Sequence, residues 1–414
     1  MSGQEHHYDI VIAGGGMIGT SLALALAPLN LRVAVIEAVA RGDRQQPSFD
    51  DRSTALSRSS QRMFEAMGLW QAIAKSSTPV RSIHISDRGH FGFSHIDARE
   101  QGVEALGYVV INRTLGEVLQ NAQFEVEGLE FICPGKVGAV DLQPQLVVVG
   151  IEEPEGRSRN LTCNLLVAAD GADSAVREMV GISASRVDYE QLAVVGNLQP
   201  EQPPMNRAFE RFTNSGPIAL LPVTDDRAAF VWSLPPAKAD EVMRLSDEAF
   251  MKELQDACGF RLGNFSRVGR RSTYPLALSK ASRLVAGRCV LIGNAAHGLH
   301  PVAAQGFNLG LRDVAALSDC IADARTQSNA TIDAGDAEIL EKYAAWRRAD
   351  QRKLVRITDG IVRLFGSASA PVRALRNLGM LGFDLVPGVR SLFARHMMGL
   401  AGRLPRLSRG VPLE

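Results

Sequence analysis

The N-terminal part of the chain alternates short apolar runs with one helix-like segment. Tyr8 to Ala13 is an apolar run that ends in glycines, which is typical of a buried parallel strand. Met17 to Ala27 is rich in leucine and alanine and predicts a helix that ends near Pro28. Arg32 to Ile36 is a second apolar run, and Glu37 follows it directly. Together these segments predict a βαβ unit of about 30 residues.

Further along the chain, the patterns predict both helices and strands. A helix is expected from about Thr54 to Met67, and another from Arg113 to Gln123. Residues 80–97 alternate between apolar and polar positions, which favours strands outside the first sheet. Phe131 to Val149 predicts a β-meander, and Asn164 to Ala169 predicts another buried strand.

These patterns predict two domains and a helical C-terminal region. Between about Gly181 and Leu278 the chain is rich in β-prone runs and proline turns, which indicates a separate sheet. Arg288 to Ile292 returns to the first sheet, and the pattern is mostly helical from Gln305 onward. The expected division is a discontinuous first domain of residues 1–72, 101–180 and 282–360, an inserted β-sheet domain of residues 73–100 and 181–281, and a helical region of residues 361–414.

Composition narrows the class of protein. The chain has 414 residues, 46% hydrophobic and 22% charged, with a formal net charge of zero, which gives no bias towards nucleic acid. No apolar run reaches the roughly 18 residues of a membrane span, and we predict no signal peptide. The expected location is therefore the cytoplasm. The cysteines are dispersed and odd in number, which favours reduced thiols over disulfides and offers no metal-ligand spacing: Cys133, Cys163, Cys258, Cys289 and Cys320.

A glycine-rich turn follows the first predicted strand. Its glycines are Gly14, Gly16 and Gly19, in the spacing G-x-G-x-x-G. Such a turn lets the backbone approach a pyrophosphate at the positive N-terminus of a helix. Glu37 stands 18 residues after Gly19 at the end of the next strand, where a carboxylate binds ribose hydroxyls. The pattern predicts dinucleotide binding, and a turn that serves packing alone is the alternative.

A second candidate turn is Asp170-Gly171-Ala172-Asp173-Ser174, which follows the strand predicted at residues 164–169. An acid and a glycine at this place suit a turn beside a cofactor. The alternative is a strand-to-helix turn in which Asp170 caps the helix.

The third motif is the segment from Gly293 to Asn308. Its small residues and Pro301 form a strand-to-helix junction, and Gln305, Gly306 and Phe307 begin a helix. A helix N-terminus carries about half a positive charge, which stabilises the negative charge of a reduced flavin. A nicotinamide-binding domain has no use for this motif, whereas an extended FAD needs both ends held. The pair of motifs therefore predicts FAD.

With these motifs, the sequence resembles the FAD-dependent aromatic hydroxylases of the p-hydroxybenzoate hydroxylase class, from about Tyr8 to Arg352. More closely it resembles the hydroxylases of ubiquinone biosynthesis, in the branch that acts on 2-polyprenyl-6-methoxyphenol. The markers are Asp51-Arg52-x-x-Ala55-Leu56, Ser86-Asp87-Arg88-Gly89, Asn112-Arg113, Asp170-Gly171 and His300-Pro301-x-x-x-Gln305-Gly306-Phe307-Asn308-Leu309-Gly310. The resemblance implies an α/β (α+β) fold: a Rossmann-like FAD-binding domain with an inserted β-sheet substrate domain and a C-terminal helical region.

The resemblance also implies roles for individual residues. Asn294 stands where the general class has aspartate; its carbonyl oxygen still accepts a hydrogen bond from the ribityl chain. The segment 216–222 is expected to form part of the substrate pocket wall. The other implied contacts are Glu37 with the adenosine ribose, Arg52 and Arg113 with the ribityl-pyrophosphate region, Asp170 with the cofactor turn, and Gln305, Gly306 and Asn308 with the flavin ring.

The implied reaction is hydroxylation of a phenol. NAD(P)H reduces FAD, oxygen adds at C4a, and the resulting hydroperoxide transfers one oxygen to the ring. The catalytic candidates are His297, His300 and Pro301, with a structural role as the alternative for either histidine. Alternative functions are hydroxylation at another ring position, hydroxylation of a small soluble phenol, reduction of a prenyl chain, and a non-catalytic FAD-bound subunit of a biosynthetic complex.

The C-terminal segment from Ile361 to Glu414 has eight arginines, no lysine and two acids, interleaved with leucine, phenylalanine and methionine. A basic amphipathic segment suits an anionic membrane surface, or a groove on a partner protein of the ubiquinone pathway. The alternative is a helical cap on the first domain with its arginines in solvent. The ring position, the prenyl length, the choice between NADH and NADPH and the oligomeric state stay open.

Overall fold

The protein is described by a computed structural model that covers residues 7–40, 52–88, 93–298, 305–327, 332–366 and 388–413. In this part of the chain, strands form three sheets. The first sheet contains β1 (His7–Ala13), β2 (Val33–Ile36), β8 (Leu129–Ile132), β9 (Lys136–Leu142), β10 (Val147–Glu152), β11 (Ser158–Ala168), β18 (Val285–Ala286) and β19 (Cys289–Leu291). The second contains β5 (Ser82–Asp87), β6 (Phe93–Asp97), β12 (Ala184–Pro200), β13 (Arg207–Thr213), β14 (Gly216–Pro222), β15 (Ala228–Leu234), β16 (Phe265–Val268), β17 (Ser272–Ala281) and β20 (His297–Gly298). The small third sheet contains β3 (Ser53–Ser57), β4 (Ser77–Val80) and β7 (Gly107–Ile111).

The described helices lie around these sheets. They are α1 (Met17–Leu26), α2 (Arg58–Ala66), α3 (Trp70–Ala74), α4 (Asn112–Gln123), α5 (Ala175–Met179), α6 (Pro236–Arg244), α7 (Asp247–Cys258), α8 (Gly306–Gln327), α9 (Ala337–Gly366) and α10 (Val389–Met397).

The first sheet has a parallel centre in the order β19-β11-β1-β2-β8. Its central strand β1 buries Ile10, Val11 and Ile12 completely, because α1 and the helices α8 and α9 take part in the same core. Burying one such side chain contributes roughly 1.5–3 kcal/mol. The chain leaves β1 towards β2 on one side, and β11 pairs on the other side. The C-terminal end of β1 is therefore a topological switch point, where open α/β sheets bind ligands.

The second sheet is mostly antiparallel, in the order β17-β12-β15-β14-β13, and β13 pairs in parallel with β5. One part of it packs on α6 and α7, where Trp232, Phe230 and Phe250 are almost fully buried. Most strands of this sheet come from the two parts of the predicted inserted domain, but β20 comes from residues 282–360, which were assigned to the first domain. The domain boundaries themselves stay a prediction.

The third sheet corrects one expectation. The helix predicted from about Thr54 begins only at Arg58, and residues 53–57 form β3 instead. This strand exists because it pairs with β7 in an antiparallel ladder, a partner that the local sequence does not reveal. Ser57 then caps α2, since its hydroxyl oxygen accepts from the Ser60 N–H at 3.3 Å.

The described part of the C-terminal region packs onto the rest of the protein. Arg406 forms ion pairs with Asp319 and Asp323, and the Arg403 guanidinium lies 4.4 Å from the centre of the Trp346 ring. These two arginines therefore contact other residues of the protein. The alternative of a helical cap had placed the arginines in solvent. Residues 367–387 lie outside the described part. Within it, no helix is long and apolar enough to cross a membrane.

Candidate active site

The glycine turn lies at the switch point of the first sheet. Gly14 has φ +104°, and a Cβ there would lie 2.5 Å from the carbonyl oxygen of Ala169. A Cβ on Gly19 would lie 1.9 Å from the carbonyl oxygen of Gly14. Gly16 precedes α1, which has no side-chain cap and no acid in its first turn. The close packing of β1, β11 and α1 requires the glycines, and the uncapped helix end fits a pyrophosphate.

Glu37 lies at the end of β2, almost buried, beside this turn. One carboxylate oxygen accepts from the Gly15 N–H and the other from the Val39 N–H, both at 2.8 Å. Each oxygen of a carboxylate has two acceptor positions, so both can still accept a ribose hydroxyl. The geometry fits the predicted role and also shows a structural role for the same side chain.

Asp170 follows β11 and lies against the glycine turn, with its Cα 2.9 Å from where a Cβ on Gly14 would be. Its carboxylate accepts from the Ser174 hydroxyl and from the Val176 N–H at 3.1 Å. Ser174 in turn caps α5. The N-cap of α5 is thus Ser174 and not Asp170, as the alternative had it, and the Asp170 carboxylate instead braces the start of the helix. Its contact with the cofactor stays a prediction.

The two arginines assigned to the ribityl-pyrophosphate region are brought together by the third sheet. Ser53 of β3 pairs with Ile111 of β7. The residues just beyond this pair are also joined, because the Asn112 N–H donates to the Arg52 carbonyl at 2.8 Å. The Arg52 guanidinium lies 4.2 Å from the centre of the Tyr274 ring. Arg113 is exposed in the first turn of α4, next to Asn112. The backbones of both arginines therefore lie at one edge of this sheet.

The late glycine segment meets the early one. Ile18 of α1 packs against both Gly293, which has φ +58°, and Gly310 of α8. A Cβ on Gly293 would lie 3.1 Å from the Ile18 side chain, and a Cβ on Gly310 would lie 2.7 Å from it. Asn294 between them is exposed. One site thus contains the N-termini of α1 and α8, as an extended FAD requires.

At the start of α8, polar side chains connect the helix to its neighbours. Asn308 accepts from the Ser57 N–H and the Ser60 hydroxyl, both at 2.8 Å, and donates to the Ala55 carbonyl at 2.8 Å. Gln305 donates to the Met397 carbonyl at 3.2 Å. A Cβ on Gly306 meets no atom of the described residues within 4 Å. This open space at a helix N-terminus fits a flavin ring.

Of the three catalytic candidates, His300 and Pro301 lie outside the described residues. His297 lies in a buried ionic network, with its Nε2 2.6 Å from Oδ2 of Asp313 and its side chain 1% exposed. Asp313 also accepts from Arg347 Nε at 2.6 Å and from the Gly293 N–H at 3.0 Å. Burial acts to raise the pKa of Asp313, but the charges of His297 and Arg347 outweigh it and lower that pKa from 3.8 to about 2. The network therefore holds the Gly293 turn in place.

A cavity of about 190 Å³ lies between the second sheet, the third sheet, the start of α8 and α10. Ala219 and Leu221 of β14, from the segment expected to form a pocket wall, line it. Gln305 and Asn308 line the side next to α8, and Met397 and other residues of the C-terminal region close another side. His297 is not among the lining residues. Nearly all other lining side chains are apolar, which suits a lipophilic ligand.

Sequence reasoning missed two parts of this cavity. The contribution of α10, through Phe393, Ala394 and Met397, was not predicted because that helix folds back from the C-terminal region. Glu210 of β13 also lines the cavity. Its only signal in the sequence is the alternation in which Ala208, Glu210 and Phe212 share one face of a strand.

Known proteins resemble this chain along nearly its whole length. A family model described as FAD binding domain matches residues 7–358. Ubiquinone hydroxylase UbiL of Rhodospirillum rubrum is 35% identical over 410 residues, which cover 98% of this chain and 93% of that protein. The 3-demethoxyubiquinol 3-hydroxylase of Escherichia coli K12 is 30% identical over 396 residues, which cover 95% of this chain and 98% of that protein. The crystal structure of p-nitrophenol 4-monooxygenase PnpA from Pseudomonas putida DLL-E4 matches with a TM-score of 0.78 at 18% identity, over 97% of this chain and 100% of that one, which shows a shared fold.

Proposed function

The chain belongs to the family built on this FAD binding domain and is an FAD-dependent monooxygenase, and from that premise we propose that it hydroxylates a polyprenylated phenol in ubiquinone biosynthesis. The proposed substrate is 2-polyprenyl-6-methoxyphenol. The similarity to hydroxylases named for ubiquinone supports the pathway. Hydroxylation of another ring position in the same pathway is the second candidate, because one of these relatives is named as a 3-demethoxyubiquinol 3-hydroxylase.

The observation that carries the proposal is the apolar cavity beside the start of α8. Its walls come from Ile83, Ile85, Phe212, Leu221 and other apolar residues. Transfer of a prenyl chain from water into this cavity is therefore favourable. A small soluble phenol would leave most of this apolar wall without a partner. The cavity therefore favours a lipophilic substrate over a small one.

When bound, FAD would supply the redox chemistry by which NAD(P)H and O2 hydroxylate the ring. The protein binds the cofactor, orients the substrate ring and shields the reacting atoms from water. Glu37 binds the adenosine ribose, Arg52 and Arg113 neutralise the pyrophosphate, and Asn294 accepts a hydrogen bond from the ribityl chain. The apolar cavity excludes water from the reacting atoms.

The N-terminus of α8 would stabilise negative charge on the bound flavin; Gln305 and Asn308 hold that helix end in place, and Gly306 leaves space for the ring beside it. We assign His297 as a positioning residue, because it acts on the Gly293 turn through Asp313. His300 and Pro301 stay candidates for contact with the flavin or the substrate.

A lipophilic substrate must come from a membrane or from a partner protein. We propose that the arginine-rich C-terminal region makes peripheral contact with the inner face of the membrane, because α10 closes the cavity and Arg395 is exposed on that helix. Flotation with anionic liposomes measures this contact, and equal flotation of a chain that ends at residue 366 contradicts it.

Deletion of the gene in its host tests the proposed function. The expected result is accumulation of a prenylated methoxyphenol in lipid extracts, and the purified enzyme should incorporate one atom of isotopic oxygen from O2 into that compound. Accumulation of a phenol without the methoxy group moves the protein to another step. The absence of substrate-stimulated NAD(P)H oxidation would support a non-catalytic subunit, and a product without isotopic oxygen would support a reductase.

Ala219→Phe narrows the cavity from the β14 wall. We expect the KM for a prenylated phenol to rise about tenfold or more, because the added ring competes with the prenyl chain for the same apolar space. FAD content should stay unchanged, since Ala219 lies on the second sheet away from the glycine turns. Ala237→Phe, at an exposed position of α6, is the matched control. An unchanged KM in the Ala219 variant would place the substrate elsewhere.

A further inference from the structure

The cavity contains one acidic side chain, and its position follows from the register of β13. Glu210 pairs with Ala219 of β14 on one side and with Ile85 of β5 on the other. Both partners line the cavity, as do Ala208 and Phe212 two residues away along β13. Successive side chains of a strand alternate between the faces of a sheet. Glu210 therefore lies in the middle of an apolar wall.

Among the cavity-lining residues that the structure describes, no cation accompanies this carboxyl group. Among the described residues that line the cavity, only Glu210 and Tyr108 of β7 have ionisable side chains. The α8 side contributes the neutral amides of Gln305 and Asn308, and α10 contributes apolar side chains. Arg211 and His84 line a separate small pocket with residues such as Ile218 and Leu220.

The environment changes the acidity of the group. Burial raises the pKa of Glu210 from 4.5 to about 8, and neither a hydrogen bond nor a neighbouring charge contributes to the shift. The side chain keeps partial accessible surface, and it lines the cavity. A polar group without a partner in an apolar wall destabilises a protein. Stability alone would therefore favour an apolar residue at this position.

We infer that Glu210 binds the phenolic hydroxyl of the substrate and accepts its proton when the ring is hydroxylated. This inference rests on the proposed function, because it needs a phenol in the cavity. The O–H bond of the phenol breaks and an O–H bond forms on the carboxylate. The electron pair stays on the phenolate oxygen and raises the electron density of the ring carbon that receives oxygen. The ring carbon then loses its C–H proton to the second oxygen atom of O2, which ends as water, and Glu210 returns the stored proton to the phenolate oxygen.

The raised pKa suits this task. A phenol has a pKa of about 10, so an acceptor with a pKa of about 8 takes its proton far more readily than an ordinary carboxylate with a pKa of about 4. Glu210 in the empty cavity is mostly protonated at pH 7. Hydroxylation should therefore increase as the pH rises towards 8, where the carboxylate form becomes abundant. Tyr108, the other ionisable residue among the described lining, stays protonated at this pH because burial raises its pKa further, so it does not compete as the proton acceptor.

The test compares the FAD-loaded full-length enzyme with Glu210→Gln and, as a matched control, with Glu248→Gln at an exposed position of α7. The probes are a prenylated methoxyphenol and ring-fluorinated analogues of lower pKa. Glu210→Gln should keep its FAD content, its Tm and its substrate Kd. Hydroxylation should fall by about 100-fold or more, the range of general base catalysis. The apparent pKa of kcat/KM should move from about 8 towards the pKa of each phenol, so the defect should shrink as the phenol becomes more acidic.

A bound chromogenic probe provides a readout that does not depend on turnover. An alkylated 4-nitrophenol, whose phenolate absorbs visible light, should titrate with a different apparent pKa in Glu210→Gln than in the wild type and the control. Hydroxylation within about threefold of wild type, or an equal defect for every phenol regardless of acidity, would overturn the role of Glu210. If the wild type hydroxylates none of the prenylated phenols, the proposed function fails first, and the inference fails with it.

Discussion

Asp313→Ala should lower the free energy of unfolding by about 3–5 kcal/mol, the largest stability effect we expect from one substitution in this protein. Asp313 is fully buried and is bound by His297, Arg347 and the Gly293 N–H. Its removal leaves the Arg347 cation buried without one of its partners. Asp350 still pairs with Arg347, but it does not contact the Gly293 turn. Urea unfolding followed by circular dichroism measures the change.

Asp256→Asn is the matched control for Asp313→Ala. Asp256 pairs with Lys252 on the surface of α7, and exposed pairs of this kind contribute little to stability because water screens them. FAD affinity should also fall in Asp313→Ala, because the Gly293 N–H loses its acceptor. A variant as stable as the control would show that the network contributes no more than a surface ion pair.

Gly19→Val should abolish retention of FAD during purification, with at least about a 100-fold loss of affinity. Any Cβ at this position would lie 1.9 Å from the Gly14 carbonyl oxygen, so α1 must move away from the glycine turn. The pyrophosphate then loses the helix N-terminus that binds it. The absorbance of bound FAD near the flavin maximum, measured against protein concentration, gives the occupancy.

Gly360→Ala is the control for the glycine substitution. A Cβ at position 360 meets no atom within 4 Å, and the residue lies within α9, where alanine favours the helix. This variant should retain FAD. If Gly19→Val retained FAD equally well, pyrophosphate binding at the N-terminus of α1 would be wrong.

The first βα unit could be predicted closely because its signals are local. The apolar run before Gly14 and the glycine spacing determine both the strand end and the helix start, which agree with β1 and α1 within about one residue. The predicted start of α2 was wrong because residues 53–57 form β3. This strand depends on pairing with β7, which lies 50 or more residues further along the chain. Local propensity cannot report such a partner.

The candidate site shows the same division. Glu37 and the glycine motifs lie where the sequence placed them relative to their strands and helices. The environment of His297 could not be predicted, because Asp313 and Arg347 come from two later helices that meet it only in the folded core. Glu210 was missed because a single acid in an alternating strand usually faces solvent. Only the packing of α10 and the third sheet against β13 puts it in a cavity.

The sequence by itself determined the cofactor, because phosphate and flavin binding depend on backbone turns and helix ends that short glycine motifs specify, and its resemblance to the FAD-dependent aromatic hydroxylases implied the reaction class. The tertiary structure alone decided where the substrate can lie and which charges are buried. The cavity walls come from β5, β13, β14, α8 and α10, which are distant in the chain and meet through packing. Burial also decides the proton affinity of Glu210, since the free energy of a charge depends on the atoms around it rather than on its neighbours in sequence.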